Sequence, residues 1–108
     1  MDIWMEAVAA TELRDLQAKA AEAVEMLKLL ANEHRLLVLC ELVMRGEASV
    51  GVLADAVGLS QSALSQHLAR LRTDGLLATR RDAQTVFYRV ADPNVSRVLA
   101  LLKAIYCP

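Results

Sequence analysis

Aromatic residues are scarce in this chain, and no long apolar run is present. Only 4% of its 108 residues are aromatic although 56% are hydrophobic, so the core must be aliphatic, which favours packed helices. Glu41, Arg97 and Lys103 interrupt the richest apolar stretches, which excludes a membrane-spanning helix. The N-terminus carries Asp2 and Glu6 and no basic residue before its apolar positions, unlike a secretory signal. We therefore expect a cytoplasmic protein that does not contact a membrane.

Cysteine and histidine are also scarce, with two of each. Transition-metal sites need several such ligands, so we predict neither a metal site nor another cofactor. The chain contains no Cys-x-x-Cys motif and no evident nucleophile with a base, which argues against an enzyme such as a thiol oxidoreductase. In the cytoplasm both cysteines are expected to start as thiols. Taken singly, Cys40 is typical of an inert core cysteine, and Cys107 has no evident role.

The charges are divided unevenly along the chain, although the formal net charge is only −1. Residues 1–59 hold five Lys/Arg and ten Asp/Glu, a balance of −5, whereas residues 60–108 hold seven and three, a balance of +4. An acidic half and a basic half can form one DNA-facing surface on a nearly neutral molecule.

The first third of the chain predicts two helices within a single domain, 1–108, that has no repeat or linker. Apolar residues recur at spacings of three and four from residue 13 to residue 30, which predicts an amphipathic helix with Thr11 as its N-cap. Asn32 is the predicted N-cap of a second helix. Residues 36–44 of that helix are apolar on nearly all sides, so we expect it to be buried.

Two short helices joined by a tight turn are predicted over residues 49–75. Ser49 is the N-cap of the first, which ends at Gly58, and Ser60 is the N-cap of the second, which ends at Gly75. Two short helices around a turn that contains glycine form the helix-turn-helix pattern.

A hairpin and a final helix complete the predicted fold. Residues 76–81 and 84–90 read as two strands around Asp82–Ala83, which together form a wing over 76–90. The last helix is predicted over 93–107, because a proline is favoured at the first helical position. The fold class is therefore mainly α with a small β-hairpin: a winged helix-turn-helix with an added helix at each end.

The second helix of the helix-turn-helix carries the candidate DNA contacts. Leu64, Leu68 and Leu71 form one buried stripe, with His67 packed at its edge, and small polar residues form the opposite face. Glutamine can pair with an adenine edge, serine with bases or phosphates, and arginine with the backbone. A solvated helix face would look similar, but the basic hairpin favours DNA. The candidate DNA-binding residues are Ser60, Gln61, Ser62, Ser65, Gln66, Arg70, Arg80, Arg81 and Gln84.

Four motifs in the second half of the chain occur in a fairly specific combination. They are Ser60-Gln61-Ser62-Ala63-Leu64-Ser65-Gln66-His67-Leu68, Leu71, Gly75-Leu76 and Val86-Phe87-Tyr88. Together they resemble the ArsR/SmtB family of bacterial winged helix-turn-helix repressors, over roughly residues 24–107. The resemblance implies a homodimer built from helices 11–31 and 93–107. It also implies binding to an imperfect palindrome of double-stranded operator DNA, with half-sites about 10 base pairs apart.

The same resemblance suggests which chemical signal the repressor responds to. Metal-binding relatives use a Cys-x-Cys pair in the first helix of the helix-turn-helix, or histidines on the last helix; this chain has neither. Cys40 and Cys107 instead match a dithiol subgroup, similar to the biofilm-growth repressors and haemolysin regulators, that responds to persulfides or oxidants. The match implies a redox switch in which a disulfide or polysulfide bridge weakens operator binding.

The sequence leaves the pairing of the cysteines and other interpretations of the function open. The two cysteines are 67 residues apart, so the spacing does not establish that they meet. The same repressor fold could respond to an unrecognised metal or to no ligand. The winged helix could also serve as a protein-interaction adaptor that does not bind DNA.

Overall fold

The computed structural model of the protein describes residues 10–108, and the chain divides into two units after Ala31. The first unit contains helices α1, Ala10–Ala18, and α2, Ala20–Leu30. The single helix predicted here is therefore interrupted at Lys19, and residue 11 is helical instead of capping the helix. Leu13 and Leu30 thus lie on different helices. No glycine or proline lies at this break, and Lys19 makes no side-chain capping hydrogen bond. The Lys19 N–H still donates to the Asp15 carbonyl (3.2 Å).

The second unit is a winged helix-turn-helix, as predicted. Its helices and a small antiparallel sheet follow the predicted order apart from one additional short strand. The elements are α3, Glu33–Arg45; β1, Ala48–Ser49; α4, Val50–Val57; α5, Gln61–Thr73; β2, Leu77–Asp82; β3, Thr85–Val90; and α6, Pro93–Tyr106. Within residues 10–108, no helix is both long enough and apolar enough to cross a membrane.

The predicted N-caps of this unit are confirmed. The side-chain oxygens of Asn32, Ser49 and Ser60 accept hydrogen bonds from the backbone N–H three residues further on, at 3.1, 3.4 and 3.2 Å. Each bond satisfies an N–H that a helix start leaves without a partner. Gly58, with a φ of 72°, ends α4 in the left-handed conformation and allows the tight turn into α5.

The sheet differs from the prediction in two places. The two-residue strand β1 was not predicted, since it is too short to show a periodic pattern; it pairs with β3, giving the order β1-β3-β2. The wing turn lies one residue later than predicted, at Ala83–Gln84, because Asp82 pairs with Thr85. The observed register places Leu77, which is buried, opposite Val90. Each partner lies two residues from its predicted position, so every side chain stays on the same face of the hairpin.

The core of the second unit is aliphatic, as predicted. Its fully buried side chains are Val38, Leu39, Leu42, Leu53, Leu64, Leu68, Leu71 and Val95. The expectation that α3 is buried on nearly all sides was wrong, since Leu37 is 44% and Met44 is 64% exposed. Only the face of α3 that carries its three core residues packs inward, because residues at other positions of a 3.6-residue period point elsewhere.

Candidate DNA-binding surface and thiol cleft

The outer face of α5 carries the polar residues expected there. Ser62, Ser65 and Gln66 are exposed, whereas the leucine stripe of the same helix is fully buried. The Ser60 hydroxyl caps α5 and lies 3.3 Å from the Ser62 hydroxyl. A helix with small polar residues outward can lie close to the base edges of a major groove.

Gln61 lies between the two helices of the helix-turn-helix. Its Nε2 atom is 3.8 Å from the position that a Cβ on Gly51 would occupy. A Cβ at position 51 would be in ordinary van der Waals contact with this amide, so Gln61 lies beside the first turn of α4. Gln61 remains exposed and can still reach a DNA strand that passes this junction.

Arg70 is exposed but engaged in an ion pair along its own helix. Its Nε donates to Asp74 Oδ2 at 2.9 Å, one helical turn further on. Exposed pairs of this kind contribute little free energy, so a DNA phosphate can compete with Asp74 for the guanidinium group.

The two arginines of β2 differ in their surroundings. They are adjacent on β2, so their side chains point to opposite faces of the hairpin. Arg80 donates to Glu47 through Nε (2.8 Å) and through a terminal nitrogen, and its guanidinium carbon lies 4.5 Å from the centre of the Phe87 ring. Arg81 is exposed and forms no ion pair with any residue between 10 and 108. Of these two arginines, Arg81 is therefore the one whose positive charge is not compensated by an ion pair within residues 10–108.

Glu47 is a member of this surface that sequence reasoning missed. The hydrogen bond from Arg80 lowers the pKa of Glu47, and the positive charge of Arg89 lowers it further. Glu47 is therefore ionised at neutral pH and compensates the charge of Arg80. The two residues are 33 positions apart, and no local pattern could have revealed the pair. Arg89, exposed on β3, was likewise not among the candidate contacts.

Gln84 lies in the wing turn, where it is exposed. It borders a shallow recess of about 400 Å³ that also includes Ser49 and Gly51 at the start of α4. The wing tip and the first turn of α4 thus face a common space.

A second site lies between α3 and α6. Cys40, on α3, is partly buried, and Cys107, just after α6, is exposed; both are free thiols. They line a single cleft of about 630 Å³, which we call the thiol cleft. Its other walls are mainly aliphatic, and Lys103 and Tyr106 also border it.

The surroundings of Cys40 oppose its ionisation. Burial raises the pKa of the Cys40 thiol, and the neighbouring Cys107 and Glu41 raise it further, whereas the positive charge of Lys103 lowers it. The influence of Cys107 on Cys40 reflects the proximity of the two thiols, which the sequence alone did not establish. Free thiols whose pKa is raised in this way react slowly at neutral pH.

The histidines do not assemble a metal site with other ligands. His34 and His67 have ring centres 6.1 Å apart, but among residues 10–108 no three His, Cys, Asp or Glu side chains are grouped to hold an ion. Burial lowers the pKa of His67, and the positive charges of Arg35 and His34 lower it further. His67 is partly buried at the edge of the leucine stripe, where it was predicted to pack.

Comparisons with known proteins agree with this architecture. Residues 32–79 match the family described as bacterial regulatory protein, arsR family. The transcriptional activator HlyU of Vibrio cholerae serotype O1 is 50% identical over 95 residues, which cover 88% of this chain and 87% of HlyU. The chain belongs to the arsR family.

Solved structures of arsR-family relatives have the same fold. Reduced HlyU from Vibrio cholerae superposes with a TM-score of 0.81 at 49% identity, covering 88% of this chain and 99% of HlyU. The transcriptional repressor BigR from Xylella fastidiosa superposes with a TM-score of 0.83 at 37% identity, covering 88% and 96% of the two chains. This arsR-family protein is therefore a DNA-binding transcriptional regulator and not an enzyme, and the predicted family and fold are confirmed.

Proposed function

We propose that the protein is a homodimeric repressor that binds an imperfect palindromic operator while its cysteines are thiols. Reactive sulfur species or oxidants join Cys40 and Cys107 by a disulfide or polysulfide bridge, and the operator is released. The observation that carries this proposal is that both thiols line one cleft between α3 and α6.

The proposed DNA contacts come from α5 and the wing. Gln66, Ser62 and Ser65 face the bases of the major groove, since their side chains are exposed opposite the leucine stripe. The remaining candidates hold the sugar-phosphate backbone and fix the register of the protein on the duplex. These backbone contacts are Ser60, Gln61, Arg70, Arg80, Arg81 and Gln84. Arg80 contributes least, because Glu47 already neutralises it.

The proposed dimer interface covers apolar side chains that a monomer exposes. On α6, Leu101, Ile105 and Tyr106 are 60%, 57% and 77% exposed. In the first unit, Leu16 is 48% and Leu27 is 58% exposed. Apolar groups in such numbers are characteristic of an interaction surface. Two-fold symmetry then presents two copies of α5 to half-sites about 10 base pairs apart.

The bridge can form in two steps from an organic persulfide, RSSH. A cysteine thiolate attacks the outer sulfur, the S–S bond of the reagent breaks, and RS⁻ leaves, so that the cysteine becomes a persulfide. The second thiolate attacks the inner, cysteine-bound sulfur and HS⁻ leaves. Overall, two thiols and RSSH give one disulfide, RSH and H₂S; the cysteines are oxidised and the reagent is reduced.

The bridge would act on DNA through α6. Cys107 follows the last residue of α6, and Cys40 lies on α3, so a covalent link restrains α6 against α3. Because α6 belongs to the proposed interface, this restraint changes the separation of the two α5 helices. A coupling free energy of about 1–3 kcal/mol corresponds to a 5–150-fold change in operator affinity.

Fluorescence anisotropy with a labelled duplex from upstream of the gene, at fixed salt, tests the proposal. We expect tight binding by the reduced protein, a large loss after treatment with an organic persulfide, and recovery on addition of reductant. Cys40→Ser and Cys107→Ser should each bind DNA and fail to respond. Equal binding in both states would refute the switch and favour a metal-responsive or ligand-independent repressor. Binding that does not depend on salt would favour the adaptor, since phosphate contacts release counterions.

A further inference from the structure

Among residues 10–108, the thiol cleft is lined by one cationic side chain. Lys103 lies on α6 and lines the cleft together with Cys40 and Cys107. The Cys107 N–H donates to the Lys103 carbonyl at 2.8 Å, so Lys103 lies in the last turn of α6 and Cys107 follows directly at its C-terminal end. Within residues 10–108, Lys103 forms neither an ion pair nor a side-chain hydrogen bond, so its ammonium group is available to an anion in the cleft.

The other titratable groups near the thiols cannot take this role. Glu41 is acidic, and its carboxylate is held by the Arg45 guanidinium at 2.8 Å, so that Arg45 is already paired. Tyr106 borders the cleft with an uncharged phenol. Within the described part of the chain, Lys103 is therefore the cation that lines this mainly aliphatic space and can compensate a thiolate formed there.

We propose that Lys103 is a positioning residue of the thiol cleft: its ammonium group stabilises the thiolate of Cys40 and thereby sets how fast this cysteine reacts. Both steps of bridge formation need a thiolate, because the thiolate is the nucleophile. The positive charge of Lys103 lowers the pKa of Cys40 and so counteracts part of the increase that burial causes. The link to sulfur signalling rests on the proposed function, but the effect on the Cys40 thiolate does not.

The test is the pH profile of alkylation in the full-length reduced protein. Iodoacetamide is applied from pH 6 to 10, and the modification of each cysteine is followed separately by mass spectrometry of its peptide. The variants are Lys103→Met, which keeps an unbranched stem, Lys103→Gln, and Lys103→Arg, which keeps the charge. Arg97→Gln is the matched control: it removes one positive charge from α6, its side chain is bonded to Asn94 (3.2 Å), and it does not line the cleft.

Loss of the charge at Lys103 should shift the alkylation midpoint of Cys40 upward by about half a pH unit, the effect of a unit charge several ångströms away in water. The rate at pH 7 should then fall about threefold, since the thiolate is the minor species there. Lys103→Arg and Arg97→Gln should follow the wild type. A purely structural role would change the thermal unfolding midpoint and leave the pH midpoint in place.

Three results would overturn the inference: a Lys103→Met or Lys103→Gln profile that superposes on the wild type, a Lys103→Arg profile shifted as far as theirs, or an equal shift in Arg97→Gln. The outcome of this alkylation test is independent of the outcome of the DNA-binding test of the proposed function. If the profile shifts but persulfide does not release DNA, Lys103 has the proposed effect and the switch is wrong. If persulfide releases DNA and the profile does not shift, only the role of Lys103 is wrong.

Discussion

Arg81 should contribute more than Arg80 to the salt dependence of DNA binding, although the two residues are adjacent on the wing. Glu47 holds Arg80 through two hydrogen bonds, and Phe87 lies beneath its guanidinium group. Binding of a phosphate by Arg80 would require that pair to break, so little net charge is neutralised. Arg81 has no ion-pair partner among residues 10–108 and can neutralise a phosphate directly.

The size of the effect follows from counterion release. Each phosphate contact contributes about 0.9 to the slope of log K against log salt concentration. A dimer has two copies of Arg81, so Arg81→Gln should reduce the slope by about 1.8. Between 50 and 200 mM KCl, a fourfold change, the wild type should then lose about tenfold more affinity than Arg81→Gln does. Arg80→Gln should change the slope by much less than one.

Fluorescence anisotropy with a labelled operator over this salt range measures both slopes. Glu47→Gln is the informative companion: it removes the charge that neutralises Arg80, so the slope should increase above that of the wild type. Combining Glu47→Gln with Arg80→Gln should abolish this increase. Equal slopes for the two single arginine variants, or a larger decrease for Arg80→Gln, would show that Glu47 releases Arg80 on binding and would refute the reasoning.

Three further predictions concern stability, measured by thermal or denaturant unfolding. Ala83 has a φ of 54°, so Ala83→Gly should raise the unfolding free energy by up to about 1 kcal/mol; a decrease would contradict strain at the turn. Leu39 is fully buried and Leu37 is 44% exposed, so Leu39→Ala should cost about 2–5 kcal/mol and Leu37→Ala clearly less. Burial and the charge of Arg35 lower the pKa of His67 from 6.5 in the folded protein. The imidazole of His67 is therefore protonated more readily in the unfolded chain than in the folded protein. Neutral His67 therefore contributes fully to the free energy of unfolding above about pH 6.5, and this contribution is lost as the pH falls through the pKa of the folded state. His67→Gln should flatten the pH dependence of the unfolding free energy, and an unchanged dependence would contradict the prediction.

Features that depend on neighbours along the chain could be predicted from the sequence. The caps at Asn32, Ser49 and Ser60, the glycine that ends α4, and the leucine stripe of α5 all arise within one or two helical turns. These short-range signals were sufficient to identify the helix-turn-helix and the outward polar face of α5. The break at Lys19 could not be predicted, because no glycine, proline or capping side chain marks it in the sequence.

Features that depend on distant pairs were decided by the tertiary structure. The partner of Arg80 is 33 residues away, and Cys40 and Cys107 line one cleft because α3 and α6 come together. Pairing across the hairpin also decided the position of the wing turn, since Asp82 pairs with Thr85. Residue type and local spacing in the sequence determined which residues cap the helices, which form the buried stripe of α5 and which polar residues this helix presents outward. Which of them meet, and which charges remain free, depends on long-range packing that no local pattern encodes.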